Sequence, residues 1–167
     1  MRLRDEIRDA WKHMEVQQLP SYLKTDRDVG RYIKFISGLT WYDLDVSNVK
    51  ISSECWAKYL PLEFQIYYFA SFLDYCLKFY VDNVDDPEFA DAEIPFLCCI
   101  DLAKRLVEDA DQFSRAQIIV TQKVLRFILD HQEVFGYADH ERVRQATLKV
   151  SLDWLKLVIP AELENTE

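Results

Sequence analysis

The chain has 167 residues and a formal net charge of −9, with half of its residues hydrophobic and 14% aromatic. A composition this apolar excludes general disorder, and the length is sufficient for one domain with its own core. Only three glycines and five prolines are present, and all-β folds need many turn residues. We therefore expect a single all-α domain over residues 1–167, a compact bundle of about six helices with an aromatic-rich core.

The acidic balance and the cysteine content limit the partners and cofactors of this chain. Nucleic acid is disfavoured as a direct partner, because binding to phosphates requires a basic surface. The opening segment MRLRDEIRDAWKHM lacks the apolar region of a secretory signal, so we expect a cytoplasmic protein without a membrane partner. Four cysteines have apolar neighbours and no metal-binding spacing, which predicts buried, reduced thiols at Cys55, Cys76, Cys98 and Cys99.

Motifs for catalysis or cofactor binding are absent from the sequence. There is no glycine-rich phosphate loop, no H-E-x-x-H or C-x-x-C metal motif and no G-x-S-x-G nucleophile motif. The three histidines are scattered, and His131 lies on the apolar side of its predicted helix, as a hydrogen-bonded core histidine would. We therefore expect no cofactor, no metal and no catalytic residue, and an enzyme is the less favoured class.

Two helices are predicted before residue 40. The first covers residues 2–16 and has an apolar face opposite a charged face, as a helix on the outside of a bundle would. Its apolar face consists of Leu3, Ile7, Ala10, Trp11 and Met14. The segment KTDRDVGRYIKFISG predicts a second helix, with a Thr25–Asp28 capping pattern at its start and Gly38 just past its end.

The chain between the second helix and Pro61 is predicted to be mostly irregular. The segment LTWYDLDVSNVKISS shows no regular periodicity, and we expect Trp41 and Leu44 to fill the core from this loop. A short helix at 53–59 should precede Pro61. Proline suits the first turn of a new helix, because its missing N–H has no helical partner there.

The stretch YLPLEFQIYYFASFLDYCLKFYVDN predicts a central helix at 61–80. Most of its circumference is apolar or aromatic, so most of it should be surrounded by protein. The polar residues and small residues that share the remaining stripe are Glu63, Tyr67, Ala70, Ser71, Asp74 and Lys78. We expect this stripe to be a solvent-exposed edge with an Asp74–Lys78 pair, and its charges exclude a membrane span.

Three helices are predicted in the C-terminal half. One begins at Pro95 and ends near Glu108, and the next covers residues 115–135, where Ser114 and Gln117 form a capping box. Both should be mostly buried, because their polar residues share one narrow stripe.

The last predicted helix covers residues 139–158. It is capped by Asp139 and stops before Pro160. Together with the first helix, it should cover the outside of the bundle.

Negative charge is concentrated in one part of the chain. Residues 61–113 carry three basic and twelve acidic side chains, so this segment accounts for the whole net charge. Its densest part is Asp82, Asp85, Asp86, Glu88, Asp91 and Glu93. These residues are interpreted as a solvated connector with helix-terminal acids, as a docking patch for a basic protein, or as a calcium site; the last lacks the spacing and glycine of an EF-hand loop.

A group of tyrosines marks the central helix and its start. Its members are Tyr59, Tyr67, Tyr68, Tyr75 and Tyr80. Buried phenols need hydrogen-bond partners, which Glu63 and Asp74 could supply in a polar network within the core. The alternative is a Tyr-lined pocket for a small molecule.

Three segments, FISGLTWYDL, YLPLEFQIYYFASFL and FSRAQIIVTQKVLRFI, together resemble a family of small bacterial proteins known only as a domain of unknown function. The matching positions, all within residues 30–130, are Trp41, Leu44, Tyr59, Leu60, Pro61, Phe113, Ser114 and Gln117. The resemblance implies a bacterial, helical, intracellular protein and transfers no catalytic residue.

These observations favour a cytoplasmic protein–protein interaction module, of which an acidic immunity-type inhibitor of a basic partner is one form. Two alternatives stay open. One is a structural or self-assembling helical protein, and the other is a small-molecule binder or enzyme with a Tyr-lined pocket. The sequence leaves the oligomeric state undetermined.

Overall fold

A computed structural model describes residues 2–15, 18–48, 56–85, 93–135 and 141–163 of the chain. Within these ranges the chain forms six α-helices and no strand, which confirms the predicted all-α fold. The helices are α1 (Arg2–Trp11), α2 (Gly30–Ile36), α3 (Leu62–Asn83), α4 (Glu93–Leu106), α5 (Arg115–Asp130) and α6 (Glu141–Leu163). Three short 3-10 helices accompany them at Ser21–Lys24, Trp56–Tyr59 and Val107–Gln112.

Helix α3 is the central element, as its apolar circumference predicts. Thirteen of its 22 residues are buried, and α1, α4 and α5 pack against it. The aromatic ring of Phe69 in α3 stacks on Trp154 of α6 and lies edge-on to Phe113, so aromatic contacts join distant parts of the chain. None of the described helices is both long enough and apolar enough to cross a bilayer.

Helix α1 covers one side of α3 and is shorter than predicted. Ile7 and Trp11 are fully buried, and the indole Nε1 of Trp11 donates to the carbonyl of Ile66 at 2.9 Å. The helix ends at Trp11 instead of residue 16, because the amide of Met14 closes a tight turn on the Trp11 carbonyl at 3.0 Å. The predicted apolar face is otherwise confirmed.

Helix α2 begins differently from its predicted capping pattern. The carboxylate of Asp26, and not the Thr25 hydroxyl, accepts the amides of Asp28 and Val29 at 2.8 and 3.0 Å. Gly30 approaches the preceding 3-10 helix so closely that a Cβ would lie 2.7 Å from the carbonyl oxygen of Lys24. Gly38 follows the helix with φ of +80°, the left-handed conformation predicted for it.

The capping box of α5 is confirmed. The Ser114 hydroxyl accepts the amide of Gln117, and the Gln117 side chain accepts the amide of Ser114. The helix ends at Asp130, five residues before its predicted end, and His131 occupies the C-cap. The His131 ring stacks on Phe127 and its Nδ1 lies 2.8 Å from the Phe127 carbonyl oxygen.

The predicted ends of the other long helices are less accurate. Helix α3 continues three residues past 80, and α4 ends at Leu106, where a 3-10 helix with a non-helical Asp109 follows. Helix α6 continues to Leu163, so the prediction that it stops before Pro160 is wrong. Proline disfavours a helix interior, because it removes one backbone hydrogen bond and its ring clashes with the carbonyl four residues earlier, but α6 continues through it. Asp139 lies outside the described residues.

Candidate functional site: a cleft beside α3

A cleft of about 360 Å³ lies between the C-terminal half of α3, the loop at residues 41–47 and Arg4 of α1. We call it the α3–loop cleft. Helix α3 contributes Ser71, Asp74, Tyr75, Lys78, Phe79 and Asp82 to its lining. These positions follow the spacing of one helix face, so the cleft extends the stripe that the sequence marks as polar.

The loop at residues 41–47, which forms one side of the cleft, contains both buried apolar residues and exposed residues. Trp41, Leu44 and Val46 are buried in the core, which confirms the expected role of Trp41 and Leu44. The side chains between them, Tyr42, Asp43 and Asp45, are exposed and line the cleft. Burial of the apolar residues therefore fixes the acidic residues at the surface.

Two α3 side chains hold this loop in place. The amide of Trp41 donates to the Tyr67 hydroxyl at 3.2 Å, and the Ser71 hydroxyl donates to the Trp41 carbonyl at 2.6 Å. Burial raises the pKa of the Tyr67 phenol. The prediction of a solvent-exposed edge is thus wrong at Tyr67 and Ser71, because the loop covers this part of the stripe, and it is also wrong at Ala70, which is fully buried.

The loop acids also shape the loop itself. The Thr40 hydroxyl donates to the carboxylate of Asp43, and the amide of Ser47 donates to Asp45 at 3.0 Å. Hydrogen bonds of this kind between neighbouring residues stabilise turns. Within the described residues, the donors to both carboxylates are hydroxyl and backbone amide groups.

Asp74 pairs with an arginine from another helix. Nε and Nη2 of Arg4 donate to the two carboxylate oxygens at 2.7 and 2.8 Å, a bidentate pair that is partly shielded from solvent. The hydrogen bonds to Asp74 raise the pKa of Arg4, and the nearby charge of Asp82 contributes. The predicted Asp74–Lys78 pair is therefore wrong, and Lys78 is exposed without an ion pair in the described part of the chain.

Two of the six predicted docking residues lie at or just past the C-terminal end of α3, and one of them lines this cleft. Asp82 lines the cleft in the last turn of α3, and Asp85 is exposed two residues beyond the helix end. Glu93 is the first residue of α4. The other three, Asp86, Glu88 and Asp91, lie outside the described residues, as does Cys55.

The helix dipole does not explain the acids at the end of α3. Carboxylates stabilise a helix at its N-terminus and destabilise it at its C-terminus, by about 0.3–1 kcal/mol each. Asp82 and Asp85 lie at the unfavourable end, and the last turn of α3 carries no basic residue. Arg4 offsets part of the charge of Asp82. Their position is thus one that helix stability alone would not select.

The five tyrosines singled out in the sequence do not share one cavity. Tyr67 and Tyr68 are buried, Tyr59 is exposed, and Tyr80 packs against Phe127 and His131. Tyr75 alone of the five lines the α3–loop cleft. The expected carboxylate acceptors are also wrong, since the Tyr68 hydroxyl lies 3.2 Å from the Ile36 carbonyl oxygen and Asp74 receives Arg4.

The described residues contain few other features that could form a functional site. No group of three or more His, Cys, Asp or Glu side chains there could hold a metal ion. The described cysteines, Cys76, Cys98 and Cys99, are buried and form no disulfide within the described residues, as predicted. A small hollow of about 30 Å³ near the start of α3 is lined by Glu15 and Glu63 among others.

Sequence patterns alone do not indicate that Arg4, Asp43 and Asp45 belong to one site. Arg4 reaches α3 across 70 positions of the chain, a contact that no local periodicity predicts. The loop acids carry a weak signal, because polar residues alternate with apolar ones from Trp41 to Val46. Comparison with known proteins finds no family model, curated protein or solved structure that matches the chain. The resemblance to a bacterial family therefore stays a prediction.

Proposed function

We propose that this chain is a cytoplasmic protein–protein interaction module that binds a basic partner, in the manner of an acidic immunity-type inhibitor. The binding surface is the acidic face formed by Asp43 and Asp45 on the loop and by Asp82 and Asp85 at the end of α3. The position of Asp82 and Asp85 against the helix dipole carries the proposal, because residues that oppose local stability are most often kept for function.

Charge of one sign on one face has a known consequence for association. It steers an oppositely charged protein towards the face and excludes acidic partners. The described acids of this face are exposed, so they are accessible to a partner without rearrangement of the fold.

The decisive experiment is a double charge reversal, Asp82→Lys with Asp85→Lys. We expect it to reduce affinity for basic proteins captured from the native cell at least tenfold at low salt, with a smaller effect at high salt. Affinity should be measured by titration calorimetry on the purified captured protein. Fractionation of the native cell checks the cytoplasmic location.

The matched control reverses two exposed acids that line the small hollow near the start of α3, Glu15→Lys with Glu63→Lys. Glu63 is 19 residues from Asp82, about 28 Å along the helix. Both double variants change the net charge equally. If the control weakens binding as much as the Asp82 and Asp85 reversal does, affinity follows net charge alone and this face is not the binding surface.

Self-association is a second candidate, favoured by one observation. The outer face of α6 exposes Leu148 and Leu152 beside a shallow depression of about 380 Å³. Stable interfaces bury about 1,200–2,000 Å² in total, so two exposed leucines supply little of the apolar area required. We therefore rank self-association below binding of a basic partner.

A further inference from the structure

The charges that line the α3–loop cleft do not cancel. Asp74 and Arg4 offset each other through their bidentate pair. The other charged side chains of the lining are the ammonium group of Lys78 and the carboxylates of Asp43, Asp45 and Asp82. A group that enters the cleft therefore meets three carboxylates and one ammonium group.

Aromatic side chains adjoin these carboxylates. Tyr42 and Tyr75 line the same cleft, and Tyr42 is held edge-on against Trp41 at a centroid distance of 5.5 Å. A guanidinium group both pairs with carboxylates in a planar fork and stacks on aromatic faces, whereas an ammonium group is a point charge. The combination of residues in the cleft thus favours a guanidinium over other cations.

The molecule already contains an example of this recognition. Arg4 approaches the cleft from α1 and binds both oxygens of Asp74 through its fork of N–H groups. A second guanidinium would meet Asp82, one helical turn beyond Lys78, together with the loop acids. The same chemistry is therefore available twice along one face of α3, and among the described residues only the first place is filled by the chain itself.

The size of the cleft limits what can enter it. Its volume of about 360 Å³ is near the lower end of small-molecule sites, which span about 300–1,000 Å³. The end of one side chain fits this space better than a large cofactor does. Because Asp43, Asp45 and Asp82 of its lining are exposed, a side chain on another protein can reach it.

We propose that the α3–loop cleft is a socket for the guanidinium of an arginine side chain on a basic protein partner. The inference rests on the proposed function and identifies the anchor of that interface, since arginines seated in pockets commonly dominate binding energy. Asp45 and Asp82 pair with the guanidinium and Tyr42 and Tyr75 stack on it. Lys78 opposes the incoming charge and keeps the affinity for a single arginine low.

The test is an NMR titration of the ¹⁵N-labelled full chain with Nα-acetyl-L-argininamide, whose only charge is its guanidinium. We expect a dissociation constant on the order of 1–10 mM and shifts confined to residues 41–47 and the C-terminal half of α3. Nα-acetyl-L-citrullinamide, which has nearly the same shape but no charge, should cause no such shifts. Equal shifts with citrulline, tighter binding of Nα-acetyl-L-lysinamide, or no shifts at 50 mM would each overturn the proposal.

Two charge-neutralising variants test the placement of the charges. Asp82→Asn should weaken binding of the arginine probe about threefold or more, while Glu63→Gln, at the other end of α3, leaves it unchanged. Lys78→Gln should strengthen binding about threefold, while Lys149→Gln on α6 has no effect. Weaker binding of the probe by Lys78→Gln would mean that Lys78 supports binding of the guanidinium instead of opposing it, which contradicts the proposed arrangement of charges. The ¹H–¹⁵N spectrum of each variant confirms that it is folded.

The probe separates this inference from the proposed function. If the probe binds as expected but reversal of Asp82 and Asp85 leaves protein binding unchanged, the cleft binds a guanidinium but does not anchor a protein partner, and the proposed binding face fails. If reversal abolishes protein binding but the probe produces no shifts in the cleft, the face stands and the socket is refuted.

Discussion

Tyr68 shows how a polar side chain is accommodated in the core of this bundle. Its ring is almost completely buried and lies edge-on to both Trp56 and Tyr67. Its hydroxyl lies 3.2 Å from the carbonyl oxygen of Ile36, the last residue of α2, and 3.4 Å from that of Leu39 in the turn beyond it. The phenol therefore joins α3 to the turn that follows α2, where the Ile36 carbonyl also accepts the amide of Leu39.

Burial raises the pKa of Tyr68 to about 12, above the value of about 10 expected in the unfolded chain. The unfolded state thus loses its proton first as the pH rises, so the contribution of Tyr68 to stability is complete below pH 10 and is lost towards pH 12. We expect this group alone to lower the free energy of unfolding by roughly 2 kcal/mol over that interval. Urea unfolding between pH 8.5 and 11.5 measures the slope of the free energy of unfolding against pH.

Two variants isolate the contribution of Tyr68 from that of other groups that titrate in this range. Tyr68→Phe should flatten the slope and lower stability near neutral pH by about 1 kcal/mol, because a hydrogen bond is lost. Tyr42→Phe, which alters an exposed phenol, should leave the slope unchanged. A Tyr68→Phe slope equal to that of the unaltered protein would disprove the shift.

At the scale of elements, the start of α2 depends on one carboxylate. Asp26 accepts two backbone amides ahead of the helix, while the Thr25 hydroxyl donates back to the carbonyl of Tyr22 at 2.9 Å. Gly30 allows the helix to begin in contact with the preceding 3-10 helix. The two neighbouring residues therefore have different roles, although both belong to the residue types that cap helices.

We expect Asp26→Ala to lower the free energy of unfolding by about 1–2 kcal/mol, because two amides lose their acceptor. Thr25→Ala should cost less than about 0.5 kcal/mol, since its hydroxyl is exposed and serves only the turn. Chemical denaturation of the two variants measures the change in the free energy of unfolding that each substitution causes. A larger effect at Thr25 than at Asp26 would support the capping pattern predicted from the sequence.

The start of α5, with its complete capping box, was the most predictable helix boundary. Ser114 and Gln117 specify a local contact, and the structure contains it. Helix ends were less predictable, because α1 ends where Met14 turns back on Trp11, and α6 passes Pro160. These outcomes depend on tertiary packing and on a small local energy difference, neither of which periodicity encodes.

At the scale of the whole molecule, we expect the protein to be a monomer in solution. The exposed apolar residues of α6 are few. In addition, each chain carries a net charge of −9, so two chains repel each other at low salt. Sedimentation velocity between about 5 and 200 μM should give the mass of one chain throughout. A mass that rises with concentration and returns to one chain in Leu152→Lys would favour self-association through α6 instead.

The candidate site was only partly predictable from the sequence, because its composition depends on tertiary packing. The polar stripe of α3 was visible from its spacing, and Asp82 and Asp85 were visible from local charge. The partner of Asp74 was not, because Arg4 reaches it only after α1 has packed on α3. Contacts between distant segments decide which charges remain available for binding, and sequence patterns describe each segment separately.

The anchoring of Trp41 by Tyr67 and Ser71 also provides an optical reporter. All four tryptophans are buried, and Trp41 alone lines the α3–loop cleft within the described residues. Its indole meets Tyr42 edge-on, so a charged group arriving at Tyr42 would change the emission of a nearby fluorophore. With Trp11, Trp56 and Trp154 changed to phenylalanine, occupancy of the cleft can be followed by intrinsic fluorescence, without any label.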